Sequence, residues 1–224
     1  MPRQCRMLIT AGPTHEPIDA VRYIANRSSG RLGLALARAA RAAGWQVTVL
    51  LGPVTQPQPR AVRTIRFEST ADLAALLEQH FPHCDVLIMA AAVADYRPRR
   101  VRAVKLPRLL QRMNLALEPT PDLVAACAAR KRTGQRIIGF ALEEPAVLDA
   151  RARAKLKRKG LDAIVANPLR TMGAADIDAV VYTAAGDVVK PSSAPRGRAR
   201  HRGLSKARFA RWLVTWIGRA LQPC

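Results

Sequence analysis

The 224-residue sequence is short of aromatic residues (4%) and of acids, with 16 Asp+Glu against 37 Lys+Arg, and it has no long apolar run. Nothing in it approaches the roughly 18 to 20 apolar residues of a membrane span. The opening MPRQCRMLIT also lacks the apolar region and small-residue cleavage site of a signal peptide. A membrane partner is therefore not expected, and the expected location is the cytoplasm. Cys5, Cys84, Cys127 and Cys224 include no C-x-x-C pair, and the histidines show no H-x-x-x-H spacing. Neither a zinc site nor a disulfide framework is indicated, so the thiols are expected to be reduced and mostly buried. The usual dinucleotide fingerprint is missing as well. No G-x-G-x-x-G sits in a tight turn after the first apolar run, and the second run ends TVLLGPV without an acid to hold a ribose hydroxyl. NAD binding is disfavoured.

What is present is an ordinary globular composition, 49% hydrophobic and 24% charged, carrying a formal charge of +21. Such a field attracts polyanions. It leaves three readings open: a nucleic acid, a multiply phosphorylated substrate, or a solvated arginine-rich surface. No aromatics interleave with the basic runs, which weakens recognition of single strands by base stacking. No specific nucleic-acid partner is expected.

Apolar runs alternate with helical patterns along the chain: RMLITAG, GRLGLALARAARAAG, QVTVLLG, STADLAALLEQHF, DVLIMAAAV, TPDLVAACAARK, RIIGFALE, AVLDARARAKLKRKG and DAIVAN. Near-continuous apolar strands separated by helices indicate a parallel sheet covered on both faces. The fold class is α/β, a doubly wound, Rossmann-like, mostly parallel sheet. Thr120 is placed to cap a helix beginning at Pro121, and Gly44 and Gly160 stand where helices end. Residues 97 to 119, with Pro98, Pro107 and Pro119, read as an extended, partly hairpin-like excursion. Residues 188 to 203 read as a basic mobile loop, after which LSKARFARWLVTWIGRAL has the spacing of a final docked helix. Neither a repeat nor a second domain is evident, so residues 1 to 224 are taken as one domain.

The turn after the first strand runs from Pro13 to Ser29 before NRSSGRLG opens a helix. Gly30 and the small Ser28 and Ser29 let backbone N–H groups and hydroxyls approach an anion at a helix N-terminus, with Arg27 and Arg31 adding charge. The competing reading is that the serines merely cap the helix and Gly33 merely permits close packing.

Taken together, ITAGPTHEPIDAVRYIANRSSGRLG and MAAAVADYRP make the sequence resemble phosphopantothenoylcysteine synthetases. The resemblance runs from about residue 7 to 187 and more weakly through the last helix. It implies a ligase that activates 4′-phosphopantothenate with a nucleoside triphosphate, CTP in most bacterial members. The acyl-nucleotide then reacts with L-cysteine, releasing CMP. A long first loop suits that chemistry, since it can hold a substrate beside the phosphates. Magnesium is implied as a partner of the triphosphate, without an assignable protein ligand. The resemblance begins within ten residues of Met1, so no flavin is expected in this chain and a decarboxylase is expected as a separate one. A homodimer is implied too, with the 97 to 119 excursion serving as flap and interface.

By position, Asn26 matches the family's asparagine that orients the acyl-nucleotide, and its amide can hydrogen-bond a developing oxyanion. Ala90, Ala91 and Ala92 would let a nucleotide approach the backbone, and Asp95 follows in a nucleotide-binding position, where it could instead just cap a turn. Lys105 matches the first lysine of a K-x-K-K flap, which here reads KLPR with Pro107 and Arg108. Pro121 and Asp122 stand in TPD where the family usually has N-P-D. Phe140 in GFALEE matches a pocket aromatic. Lys155 and Lys159, four apart on one helical face, match two nucleotide-binding lysines, although a solvated basic helix would look the same. The altered flap and TPD leave a second reading open, a nucleotide- or phosphopantothenate-binding homologue with degenerate ligase activity.

Overall fold

A computed structural model describes residues 4–108, 110, 112–191 and 203–221. The apolar runs become the strands of one 8-stranded sheet. Its first strand, β1 (Arg6–Ala11), is buried beyond its first residue. In the long loop that follows, β2 (His15–Pro17) and β3 (Tyr23–Ala25) form an antiparallel hairpin. Then come α1 (Arg31–Ala42), β4 (Gln46–Leu51), β5 (Arg63–Arg66), α2 (Thr70–His80) and β6 (Val86–Met89). The excursion closes at its base as an antiparallel pair, β7 (Tyr96–Pro98) with β8 (Leu117–Pro119). The chain continues through α3 (Leu123–Ala129), β9 (Arg136–Glu143), α4 (Leu148–Arg158), β10 (Ala163–Pro168), β11 (Asp176–Ile177), β12 (Val180–Thr183) and β13 (Val188–Val189). Among the described residues it ends with β14 (Leu204–Ser205) and α5 (Lys206–Trp216), which passes into a π-helical turn.

The sheet order is β13-β12-β10-β9-β6-β1-β4-β5. The strands from β10 to β5 pair in parallel, and β12 and β13 add an antiparallel edge. Numbered along the chain, the parallel part reads 3-2-1-4-5-6 from its β5 edge, the Rossmann order. The two faces have separate cores. Leu34 and Leu36 of α1 pack with Phe209 and Leu213 of α5 on one face, and Leu73, Leu77, Leu123 and Leu156 from α2, α3 and α4 cover the other. This is the doubly wound arrangement expected from the sequence. Gly33 presses α1 onto β1, for a Cβ there would stand 2.4 Å from the Cβ of Ala11.

Three local readings change. The helix expected to start at Pro121 starts at Leu123, and its cap is Asp122, which accepts from the Ala125 N–H at 3.2 Å. Thr120 lies just past β8, and its hydroxyl donates to the Ala94 carbonyl, 2.5 Å away. Val188–Val189, taken as the start of a mobile loop, pairs with β12, while residues 192–202 of that loop lie outside the described residues. Cys84 and Cys127 are free and buried as expected, but Cys5 is disulfide-bonded, which corrects the reading of reduced thiols at that position. Burial pushes the Cys84 thiol up to about 12 and raises that of Cys127 as well, so neither is a ready thiolate. Gly44 and Gly160 do end helices in left-handed conformations, φ 86° and 63°. Among the described residues no helix is long and apolar enough to cross a membrane.

Candidate active site

The strand order reverses between β1 and β6, and an open α/β sheet binds ligands at such a point, beyond the carboxyl ends of its strands. The chain builds a floor there. The Ala92 N–H donates to the Gly12 carbonyl at 2.9 Å, and the Thr14 N–H donates to the Ala92 carbonyl at 3.3 Å. Two threonine hydroxyls fix the AAAVAD stretch from below, Thr10 accepting from the Ala91 N–H and Thr14 from the Ala94 N–H, both at 3.0 Å. Gly52, just past β4, packs directly on the loop, since a Cβ there would lie 2.1 Å from the Pro13 carbonyl oxygen. Glu16, buried, accepts from the Thr70 N–H and hydroxyl at 2.9 and 2.6 Å, tying the β2–β3 hairpin to the start of α2.

Above this floor is a cavity of about 640 Å³. The wide loop supplies Asn26 and Arg27, the loop after β6 supplies Ala91, Ala92 and Asp95, and β9 supplies Phe140. Pro121 and Asp122 enter from the start of α3, and Lys155 and Lys159 from α4. A contiguous cleft of about 230 Å³ holds Ser28, Ser29, Gly30 and Ala90, and shares Arg27, Ala91, Ala92 and Phe140 with the larger cavity. The structure thus gathers every candidate site residue but one. Lys105 lies on the exposed excursion and lines neither space.

Asn26 is oriented by a hydrogen bond from Nδ2 to the Val93 carbonyl at 2.8 Å. A side-chain amide has two N–H groups, so a second donor remains. Gly30 caps α1 in the left-handed region, φ 69°, with no side-chain cap and no acid in the first turn. The reading in which Ser28 or Ser29 caps this helix fails for that reason. The N-terminal amides of α1 are left for an anion.

The lysines do not face each other bare. Lys155 Nζ donates to Glu143 at 2.6 Å, and Arg151 reaches the other Glu143 oxygen at 2.8 Å. Lys159 pairs with Asp122 at 3.0 Å. The Lys155 ammonium, aided by Arg151, holds the Glu143 carboxyl below its ordinary value of 4.5. Sequence reasoning missed Glu143 as a site residue although it closes the GFALE stretch, because only the fold brings β9 and α4 together. It also passed over Asn167, Thr171, Met172 and Lys206 at the cleft. Among the described residues no three His, Cys, Asp or Glu side chains converge as a metal site. Asp95 is exposed on the cavity wall and, among the described residues, makes no ion pair.

Fold and site define a doubly wound α/β domain whose ligand cavity at the switch point is entered by a widened first loop and lined with cations. The sequence matches the DNA/pantothenate metabolism flavoprotein C-terminal domain over residues 3–217. It is 42% identical over 170 residues to the coenzyme A biosynthesis bifunctional protein CoaBC of Vibrio cholerae, covering 75% of this chain and 42% of that protein. A cysteine/cysteine sulfinic acid decarboxylase from an unknown prokaryotic organism is 45% identical over 170 residues, 75% of this chain and 47% of the relative. The chain therefore spans less than half the length of these relatives. The crystal structure of a C-terminal domain of CoaBC superposes with a TM-score of 0.79 at 34% identity, covering 98% of this chain and 97% of that one. The chain belongs to this family, as a domain of the phosphopantothenoylcysteine synthetase type.

Proposed function

We propose that the chain is a ligase of coenzyme A biosynthesis, joining 4′-phosphopantothenate to L-cysteine through an acyl-cytidylate formed from CTP. One observation carries the reading: the wide first loop places the Asn26 amide in the same cavity as Asp95, Phe140, Lys155 and Lys159, the positions that match nucleotide contacts. A carboxylate resists attack until an oxygen becomes a good leaving group. In the first step a carboxylate oxygen of phosphopantothenate bonds to the α-phosphorus of CTP, and the bond to pyrophosphate breaks. In the second the cysteine amine bonds to the acyl carbon and loses a proton, and CMP departs. The free Asn26 N–H is suited to stabilise the oxyanion of that step without adding negative charge. Lys155 and Lys159 exchange some of their carboxylate contacts for phosphate oxygens.

Magnesium fits this site as a companion of the triphosphate, not as a resident of a protein cage. Asp95 is the carboxylate free to meet it, and it would neutralise phosphate charge, the rest of its shell being phosphate and water. A homodimer belongs to the proposal. The excursion exposes Val101, Val104, Met113, Leu115 and Leu117, apolar surface of the kind an interface covers. Light scattering should give twice the chain mass, and a monomer would reject this part.

The alternative reading, a binding homologue with degenerate ligation, is favoured by one observation, the KLPR flap with Lys105 outside both spaces. The deciding experiment measures pyrophosphate release with 4′-phosphopantothenate, magnesium and CTP or ATP, with and without cysteine. The ligase reading expects release that needs 4′-phosphopantothenate and turnover sustained only with cysteine. Silence from folded protein would select the alternative.

A further inference from the structure

Asp19 is a buried carboxylate at the tip of the β2–β3 hairpin, on the surface loop and outside both cavities. Its side chain is fully shielded from solvent. Burying a charge in a loop is costly unless it is paired and hydrogen-bonded. Here the two oxygens have different duties. Oδ1 accepts from the backbone N–H of Val21 at 2.9 Å and of Arg22 at 2.8 Å, which shapes the hairpin turn. Oδ2 accepts from Nε and Nη2 of Arg22 and, across 87 positions of sequence, from the backbone N–H of Leu106 at 3.0 Å.

Arg22 completes the grip. Its Nη2 donates to the Leu106 carbonyl at 2.8 Å, so both polar groups of one excursion residue are held by one ion pair. The Arg102 N–H donates to the Ile18 carbonyl at 3.0 Å, a second tie between the same two segments. Between Arg99 and Ala116 the described excursion residues form no helix or strand, so these contacts take the place of a ladder in setting its path. The held residue is the immediate neighbour of Lys105.

We infer that Asp19 is a positioning residue: through Oδ2 and the Arg22 guanidinium it fixes the excursion at Leu106 and thereby sets where Lys105 stands. The consequence for catalysis rests on the ligase reading, whereas the anchor itself does not. Asp19→Asn separates the two duties. Asparagine keeps an Oδ1 acceptor for the turn but puts an N–H₂ donor against the donors of Arg22 and Leu106.

The test is amide hydrogen exchange on the full chain, combined with labelling of Lys105 by an amine-reactive reagent. Loss of a charge-assisted contact should speed exchange at Leu106 about tenfold or more, and raise labelling of Lys105, with Val21 and Arg22 unchanged. Unaltered exchange at Leu106 overturns the proposal. In the pyrophosphate assay Asp19→Asn should lower kcat/KM about tenfold, yet add no further loss to Lys105→Ala. Fully additive losses would also overturn it, since Asp19 would then act by another route. Wild-type protein silent in that assay would count against the ligase reading alone, and exchange would still decide the anchor. If Asp19→Asn does not fold, Leu106→Pro removes the excursion's donor while leaving Asp19 and Arg22 paired, and the same exchange gain is expected at residues 102 to 105.

Discussion

If the proposed ligation holds, Asn26→Asp should fold as the parent does, release about one pyrophosphate per site and then stall, with steady-state turnover reduced about 10²- to 10³-fold, the range for loss of one oxyanion donor. The expectation follows from what each amide atom does. Nδ2 gives one N–H to the Val93 carbonyl, which fixes the side chain at the cavity wall and leaves the other N–H for the reacting centre. An aspartate has no N–H to give. It would set a carboxylate oxygen against the Val93 carbonyl and bring negative charge to an acyl phosphate that is already anionic. The activation step, in which pyrophosphate leaves, depends more on the cations and should survive. The second step, in which charge grows on the acyl oxygen, should not. A rapid-quench burst with little later turnover would support this division. Undiminished steady-state turnover would reject the role given to Asn26.

Much of the fold was readable because its strands are buried on both faces and hence nearly continuous in apolar residues. Val86 to Met89 is buried throughout, and the helices between such runs keep a 3.6-residue stripe. Among the strands that the apolar runs did not mark, β5 is the informative one. β5 is RTIR, with both end arginines exposed, and it lies at the sheet edge, where a charged strand has little apolar signal. Thr120 was misassigned because capping is a competition. The Thr120 hydroxyl found the Ala94 carbonyl across 26 positions of sequence, and Asp122 took the cap. The candidate site divides along the same line. Asn26, Asp95, Phe140, Lys155 and Lys159 lie on matched stretches and line the cavity, whereas the pairing of Glu143 with Lys155 and the contact of Asp19 with Leu106 are made only by folding. A carboxylate's identity is written in the sequence, but its counter-ion is not.

That pairing shapes the second large effect. Lys155→Met should raise the KM for nucleotide about tenfold to a hundredfold, since a charged hydrogen bond contributes about 1.5 to 3 kcal/mol and each 1.4 kcal/mol is tenfold. Part of this loss comes from what the substitution leaves behind. Glu143 is mostly buried beside the cavity-lining Lys155, and with Lys155 gone it keeps Arg151 but has one oxygen without its cation. Arg151 stays beside Glu143 in the variant, and a carboxylate so paired is ionised at neutral pH, so its repulsion of phosphate persists under assay conditions. Adding Glu143→Gln to Lys155→Met should therefore recover part of the affinity, although Glu143→Gln alone, by freeing Lys155 from its partner, should loosen the lysine and weaken binding modestly. Opposite signs for one substitution in two backgrounds are the signature of direct coupling between neighbours. Nucleotide titrations of the four proteins measure it. If Glu143→Gln acts alike with and without Lys155, the carboxylate is no counter-ion to that lysine, and Lys155 binds phosphate from a geometry other than the paired one.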